Sequence, residues 1–396
     1  MKRRDFIKNS ALASSVFFVP SFVRGFEDIA FSNYGFKRLV IVQLSGGNDG
    51  LNSVIPYRND IYYNKRPKLA ISKNKVLDIN GELGFHESLE PLKRLYDEGY
   101  LCVLNNVGYP NPNRSHFRSL DIWQTASDSN KYLTSGWIGR YLDHHGKHTY
   151  NAIELDESLS LAMKGNRLNA IATKNPKIFY RTSNDPFFNS VLDHYNDTHL
   201  SEHNLGYLYK TMISAKTSAK YIYEKNKVSR SKQEYPNNDF GKQLKTTAQF
   251  INSRLDTQVF YTSLGGFDTH ANQANKQKRL LENYAQGIEA FVKDLKGNDT
   301  FDDTLILTFS EFGRRVQQNA GNGTDHGSAN NVFIIGKHLQ ASGIYNDLSS
   351  LNDLDEIGDL KYNIDFRSIY ATILNRWLEV DDSKILSKEF NKLDFI

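Results

Sequence analysis

Five apolar runs punctuate the chain, at residues 38–45, 101–108, 258–265, 304–310 and 331–336. Each is continuous rather than alternating. Strands buried on both faces have this pattern, which predicts a mainly parallel sheet covered by helices. Segments of helical character separate the runs, at 86–98, 115–125, 136–145, 239–256 and 275–296. A closing helix is expected over 365–380, with Ile369, Ile373, Leu374 and Leu378 apolar and Trp377 beside them. Strands alternating with helices predict an α/β sandwich. Polar loops are expected at 226–239 and 347–359. The reading is one domain over 31–396, with a helical insertion near 185–245 and a separate leading segment over 1–30.

That leading segment opens MKRRDFIKNSALASSVFFVP. Arg3-Arg4, one free position, Phe6, Ile7 and Lys8 resemble a twin-arginine export signal. The apolar stretch behind them is too short for a bilayer of about 30 Å, which takes about 20 residues. It therefore reads as a targeting segment with a cut near residues 21–31. Its partner would be the twin-arginine translocase, and the destination the periplasm or cell surface of a bacterium. Residues 1–25 hold five basic residues and one acid, which accounts for the whole net charge of +4. Removing those from 49 basic and 45 acidic residues leaves 44 of each, so the mature part is neutral. A neutral chain gives no electrostatic case for nucleic acid. No later apolar run could span a membrane. Cys102 is the single cysteine, so neither an intrachain disulfide nor a cysteine zinc cluster can form.

Ligands of α/β sheets bind beyond the carboxyl ends of the strands. After the first run comes Ser45-Gly46-Gly47-Asn48-Asp49-Gly50-Leu51-Asn52, where Asp49 and Asn52 project as ligands or close an Asx turn. It lacks the spacing of a phosphate-cradling loop. After the second comes Arg114-Ser115-His116, at a helix start. Ser115 can be a cap, an anion ligand or a nucleophile, and residue chemistry alone favours the cap. After the third, Asp268 and His270 stand two apart, either as metal ligands or in surface hydrogen bonds. After the fourth, Glu311 precedes Arg314 and Arg315, which suits a metal beside an anion or an internal ion pair. A glycine-rich loop with Asp325-His326 leads into the fifth run. Several acidic, histidine and serine residues at one fold position point to a site.

The same residues carry a resemblance. LSGGNDGLN (44–52), NRSHFRSLDIWQT (113–125), SGWIGRYL (135–142), GGFDTH (265–270), TFSEFGRR (308–315), TDHGSAN (324–330) and DFRSIYATILNRWL (365–378) resemble, in order, the bacterial domain-of-unknown-function family 1501. That family is similar to the alkaline phosphatase and sulfatase superfamily. The resemblance implies a three-layer α/β/α sandwich, one or two divalent metals and a nucleophile at a helix start. It implies Ser115 as nucleophile, with His116 in the catalytic group. Asp49, Asp268, His270, Glu311 and His326 become the metal set. The chain departs from the pattern where Glu311-Phe312 replaces an Asp-His pair. It departs again after Ser115, where the proline of sulfatases is absent.

Two functions follow as expectations. One is an exported, metal-dependent hydrolase of phosphate or related esters. Zn, Ca or Mg would be its ion, and Arg114 or Arg314 would receive the anion. The other is an exported, non-catalytic binding or assembly subunit with a protein partner and a degenerate metal site.

Overall fold

The computed structural model describes residues 36–193, 204–226 and 231–396. The expected signal segment and parts of the expected insertion, 194–203 and 227–230, lie outside the described residues. Nine strands form the main sheet: β1 (Arg38–Ser45), β2 (Leu101–Gly108), β3 (Ala152–Glu154), β4 (Ile171–Ala172), β5 (Val259–Gly265), β6 (Thr304–Phe309), β7 (Asn330–Ile335), β8 (Gly343–Ile344) and β9 (Ile364–Asp365). Their order is β8-β2-β7-β6-β1-β5-β3-β4, with β9 beside β2. β1 runs parallel to β5 and β6, placing Val40 opposite Phe260 and Ile306. β7 alone runs against its neighbours, antiparallel to both β6 and β2. The sheet is therefore mainly parallel. The carboxyl ends of β1, β2, β5 and β6 share one edge with the amino end of β7.

Successive strand side chains point to opposite faces, so a continuous apolar run feeds two cores. Along β1, Leu39 and Ile41 join one buried cluster, while Val40, Val42 and Leu44 join another. Helices α1 (Glu90–Asp97), α4 (Asp239–Asn252) and α5 (Gln273–Lys296) close the second face. Helices α2 (His116–Thr125), α3 (Trp137–His145) and α6 (Phe366–Thr372) close the first. The result is the expected three-layer α/β/α sandwich. Between α3 and α4, helices span Pro176–Ser183, Pro186–Asp193 and Asn204–Asn226. A separate antiparallel sheet of Val54–Ile55, Gly84–His86 and Val76–Asp78 was not foreseen, because strands of two or three residues carry no readable period.

The closing helix differs from expectation too. The α-helical turns end at Thr372, and Ile373–Trp377 continues as a π-turn. That turn lets Trp377 donate its indole N–H to the Arg38 carbonyl at 2.9 Å. Trp123 on α2 is sandwiched by Phe309 and Phe366, with ring centroids 4.8 and 4.2 Å away. One turn closer to the α2 start, Ser119 donates to the Glu311 carbonyl at 2.5 Å and pairs with the Tyr109 hydroxyl at 2.8 Å. The amino end of α2 is thus fixed against the loop after β6.

Glu154 ends β3 and is buried, and its carboxylate accepts the Ser160 amide at 2.7 Å. Burial pushes its carboxyl up to about 7, only partly offset by that hydrogen bond. The native state therefore keeps a proton that the unfolded chain releases above about pH 4.5. Stability from this group is full below that value, falls as pH rises towards 7, and stays lost above it. The shift corresponds to about 3 kcal/mol. Glu154→Gln, the neutral isostere, should gain on the native protein across that window by denaturant midpoint. A constant difference between pH 4.5 and 8 would refute the shift.

Candidate metal centre

Four side chains meet above the shared strand edge. Asp268 and His270 follow β5. Two residues apart in extended chain, they lie on one side, and the His270 Nε2 is 3.1 Å from Asp268 Oδ1. His326 precedes β7 and sits in an isolated antiparallel bridge with Arg314, which places its Nε2 3.3 Å from the same oxygen. His116 is the first residue of α2, with its Nε2 3.4 Å from that oxygen. Ligand atoms of His116, Asp268 and His326 all lie within 4.8 Å of one another. His270 Nε2 adds a fourth, 2.9 Å from His326 Nε2.

The protons on these rings follow from their outer partners. His326 Nδ1 faces the Arg114 carbonyl at 2.7 Å, and a carbonyl can only accept. His116 Nδ1 faces the Glu311 carboxylate at 2.9 Å. His270 Nδ1 faces Asp325 at 3.3 Å, and Asp325 also accepts from Asn319 at 3.0 Å. In the neutral rings all three Nδ1 atoms therefore carry hydrogen, which leaves each Nε2 lone pair within 3.4 Å of the same Asp268 oxygen. The His116 Nε2 is buried with no hydrogen-bond partner. Two lone pairs 2.9 Å apart repel unless a proton or a cation lies between them. Imidazole nitrogens fixed by outer carboxylates and carbonyls, beside one carboxylate, are a donor set for a borderline transition metal. The residues present fit such an ion.

Electrostatics divide the four. The hydrogen bond to Glu311 raises His116 above the usual histidine range. Burial lowers His326, helped by the nearby Arg314 charge. Burial alone would raise Asp268, but Arg314, His326 and His116 outweigh it and hold the carboxyl well below the usual range.

Of the residues singled out in the sequence, the structure brings together Asp268, His270, His326 and His116. Asp49 is elsewhere. Its buried carboxylate pairs with Arg66 at 2.6 Å and accepts from Gln273, and Arg66 is itself fully buried. Glu311 is turned away from the converging atoms. Its Oε1 accepts the Gly46 amide at 2.8 Å and holds His116 from behind. Arg114 is occupied by Asp359 at 2.6 Å and Asp355 at 2.8 Å. Arg314 is wholly buried and bonds backbone carbonyls and Asp268. Neither arginine presents a free fork to an anion.

Ser115 is exposed and stands at the N-cap of α2. The cap reading of the sequence is not realised, for its hydroxyl makes no cap hydrogen bond. Asp325 and Asn319 were missed. The adjacency of Asp325 to His326 was the available signal; Asn319 had none. Phe312, also missed, lies against the rings of His116 and His326, with centroids 4.8 and 4.7 Å away. Gly47, with φ +74, leaves Phe312 its space, because a Cβ there would sit 2.4 Å from the ring. Gly46, with φ +114, lets the β1 tip press on Asp268, whose amide a Cβ would meet at 2.4 Å.

The family model of DUF1501, a protein family of unknown function, matches residues 99–390. No curated protein matches the chain. Among solved structures, the zinc complex of the C-terminal periplasmic domain of EcEptC from Escherichia coli is 12% identical, covering 78% of this chain and 74% of that one at a TM-score of 0.39. The lipoteichoic acid synthase LtaP from Listeria monocytogenes is 9% identical, covering 79% and 68% at 0.38. The phosphonate monoester hydrolase SpPMH from Silicibacter pomeroyi is 9% identical, covering 78% and 69% at 0.36.

A ligand that binds only the folded chain stabilises it, by about 2.7 kcal/mol at a hundred times its Kd. Zinc added to the metal-free protein should raise the thermal midpoint accordingly, and His326→Ala should lose most of that rise. An equal rise in both proteins would show that zinc binds elsewhere.

Proposed function

The chain belongs to the DUF1501 family, and from that premise we propose that it is an exported, metal-dependent hydrolase of phosphate or related esters in which Ser115 is the nucleophile. One observation carries the reading. Three imidazole Nε2 atoms lie within 3.4 Å of one Asp268 oxygen, and the residue before His116 is a serine whose hydroxyl is exposed, makes no cap hydrogen bond and stands at the positive end of a ten-residue helix. A divalent ion held by His116, Asp268, His270 and His326 would lower the pKa of a neighbouring hydroxyl and neutralise charge growing on the ester oxygens.

The chain's own groups do the rest. The first backbone amides of α2 have no partner within the helix and can receive the anionic group. Ser115 Oγ attacks the phosphorus atom and gives its proton to water, the ester P–O bond breaks as the leaving oxygen takes a proton from water, and a second water then cleaves the phosphoserine and returns a proton to Oγ. Glu311 and Phe312 keep the His116 ring in place throughout. Export rests on the resemblance of the Arg3-Arg4 segment to a twin-arginine signal. Among the described residues, no helix is long and apolar enough to cross a membrane.

A second reading has a specific observation in its favour. Four protein ligands would fill the shell of a four-coordinate ion, as in structural rather than catalytic sites. The ion would then brace a non-catalytic binding or assembly subunit.

Generic phosphomono- and diesters and sulfate esters separate the two. Ser115→Ala should abolish turnover, by at least about a hundredfold, with metal content unchanged. A metal-loaded native protein that turns over none of them supports the structural ion, and undiminished turnover in the variant removes Ser115 as nucleophile. Replacing Arg3 and Arg4 together by lysine should leave the chain in the cytoplasm; normal export of that variant would remove the twin-arginine assignment.

A further inference from the structure

Arg314, read in the sequence as a receptor for a substrate anion, faces inward. Its guanidinium is fully buried and donates to five oxygens from three segments. Nε donates to the Gly47 carbonyl at 2.7 Å and Nη1 to the Thr324 carbonyl at 2.9 Å. Nη2 donates to the Gly46 carbonyl, to the Phe267 carbonyl at 3.0 Å and to Asp268 Oδ1 at 2.8 Å. The loops after β1 and β5 and the loop before β7 all supply acceptors. Carbonyl and carboxylate oxygens gathered from several loops are the donor set of a hard cation. Here a side chain fills that socket.

Asp268 Oδ1 joins the socket to the centre, accepting from Arg314 on one side and facing the three imidazoles on the other. We infer that Arg314 holds the place of a second cation, so the centre takes one metal ion on its imidazole side, and that Arg314 is the positioning residue aiming Asp268 at that ion. The inference rests on the metal centre proposed above. Geometry supports it twice. A guanidinium with no exposed surface and its donors committed to backbone oxygens cannot reach a substrate. A second ion bound to the same oxygens would have to displace it. Its fork also donates from three nitrogens to acceptors on three loops, which the single nitrogen of an ammonium cannot do.

The full chain, stripped of metal with a chelator, is titrated with Zn²⁺ and its ion content measured by mass spectrometry. Co²⁺ titration follows the visible absorption of a tetrahedral site. The expected result is one ion per chain, with the Co²⁺ bands saturating at one equivalent and no further ion taken up in excess Ca²⁺. Two ions per chain overturn this inference and leave the metal centre standing. No ion overturns the metal centre itself. Arg314→Lys keeps the charge and loses the fork. It should still bind one ion, with Zn²⁺ affinity lowered ten- to a hundredfold, the usual cost of losing an outer-shell partner, and with shifted Co²⁺ bands. Unchanged affinity and bands in a folded Arg314→Lys protein would overturn the positioning role. Should that variant not fold, the ion count of the native chain still decides the inference.

Discussion

The strand Asn330–Ile335 runs against Leu101–Gly108 and Thr304–Phe309, and the composition of the centre depends on that reversal. In a wholly parallel sheet, the residues leading into a strand lie at the opposite edge from those that follow its neighbours. Reversal brings the loop before this strand, with His326, Asp325 and Thr324, to the edge where Asp268, Glu311 and the start of the 116–125 helix already lie. The bridge between Arg314 and His326 marks where the loops after one strand and before the next first pair. Without it His326 could not share an oxygen with His270.

A second constraint is the buried polar network around Asp49 and Arg66. Asp49 and Arg66 have no side-chain exposure, and Arg66 also donates to Asn52 and to the carbonyls of Arg315 and Val316. Breaking such a pair by removing one partner leaves a buried charge, at a cost of about 3–5 kcal/mol. Through Arg66 these bonds tie Asp49, in the loop after the first strand, to carbonyls 249 and 250 positions beyond that arginine. Arg314 performs the same service for the loops that hold Gly47, Phe267 and Thr324. Both arginines therefore do structural work, which the neighbourhood of Arg314, with Glu311 and a glycine-rich loop, disguised as chemistry.

The strands were readable because each is an uninterrupted apolar run feeding two cores. Asp268 and His270 were readable because a spacing of two after a strand sets both side chains on one side, and His326 because a glycine-rich loop carries it to the next strand. What could not be read was orientation. Asp49 looks like a free ligand until Arg66, 17 residues on in an ordinary stretch, is folded against it. Glu311 looks like a ligand until the Gly46 amide, 265 residues away in sequence, claims its Oε1. Ser115 read as a cap because residue type was all there was to judge by, and its hydroxyl leaves that bond unmade. Long-range partners decide these cases, and no local pattern encodes them.

The centre also explains why proton and metal should compete. Each ring has committed its Nδ1 hydrogen to a fixed acceptor, so any added proton goes to an Nε2, the atom a metal would use. His116 holds such a proton more firmly than usual because Glu311 stands behind it. His326 holds one less firmly because it is buried. The two rings are tuned in opposite directions around one carboxylate oxygen. His116, Asp268 and His326 come from three distant parts of the sequence, so the ligand set exists only once the sheet has formed. A metal taken up by this set would then load after folding. A route that carries folded chains, such as the one the Arg3-Arg4 segment resembles, permits loading before export, whereas a route for unfolded chains would postpone it to the far side of the membrane.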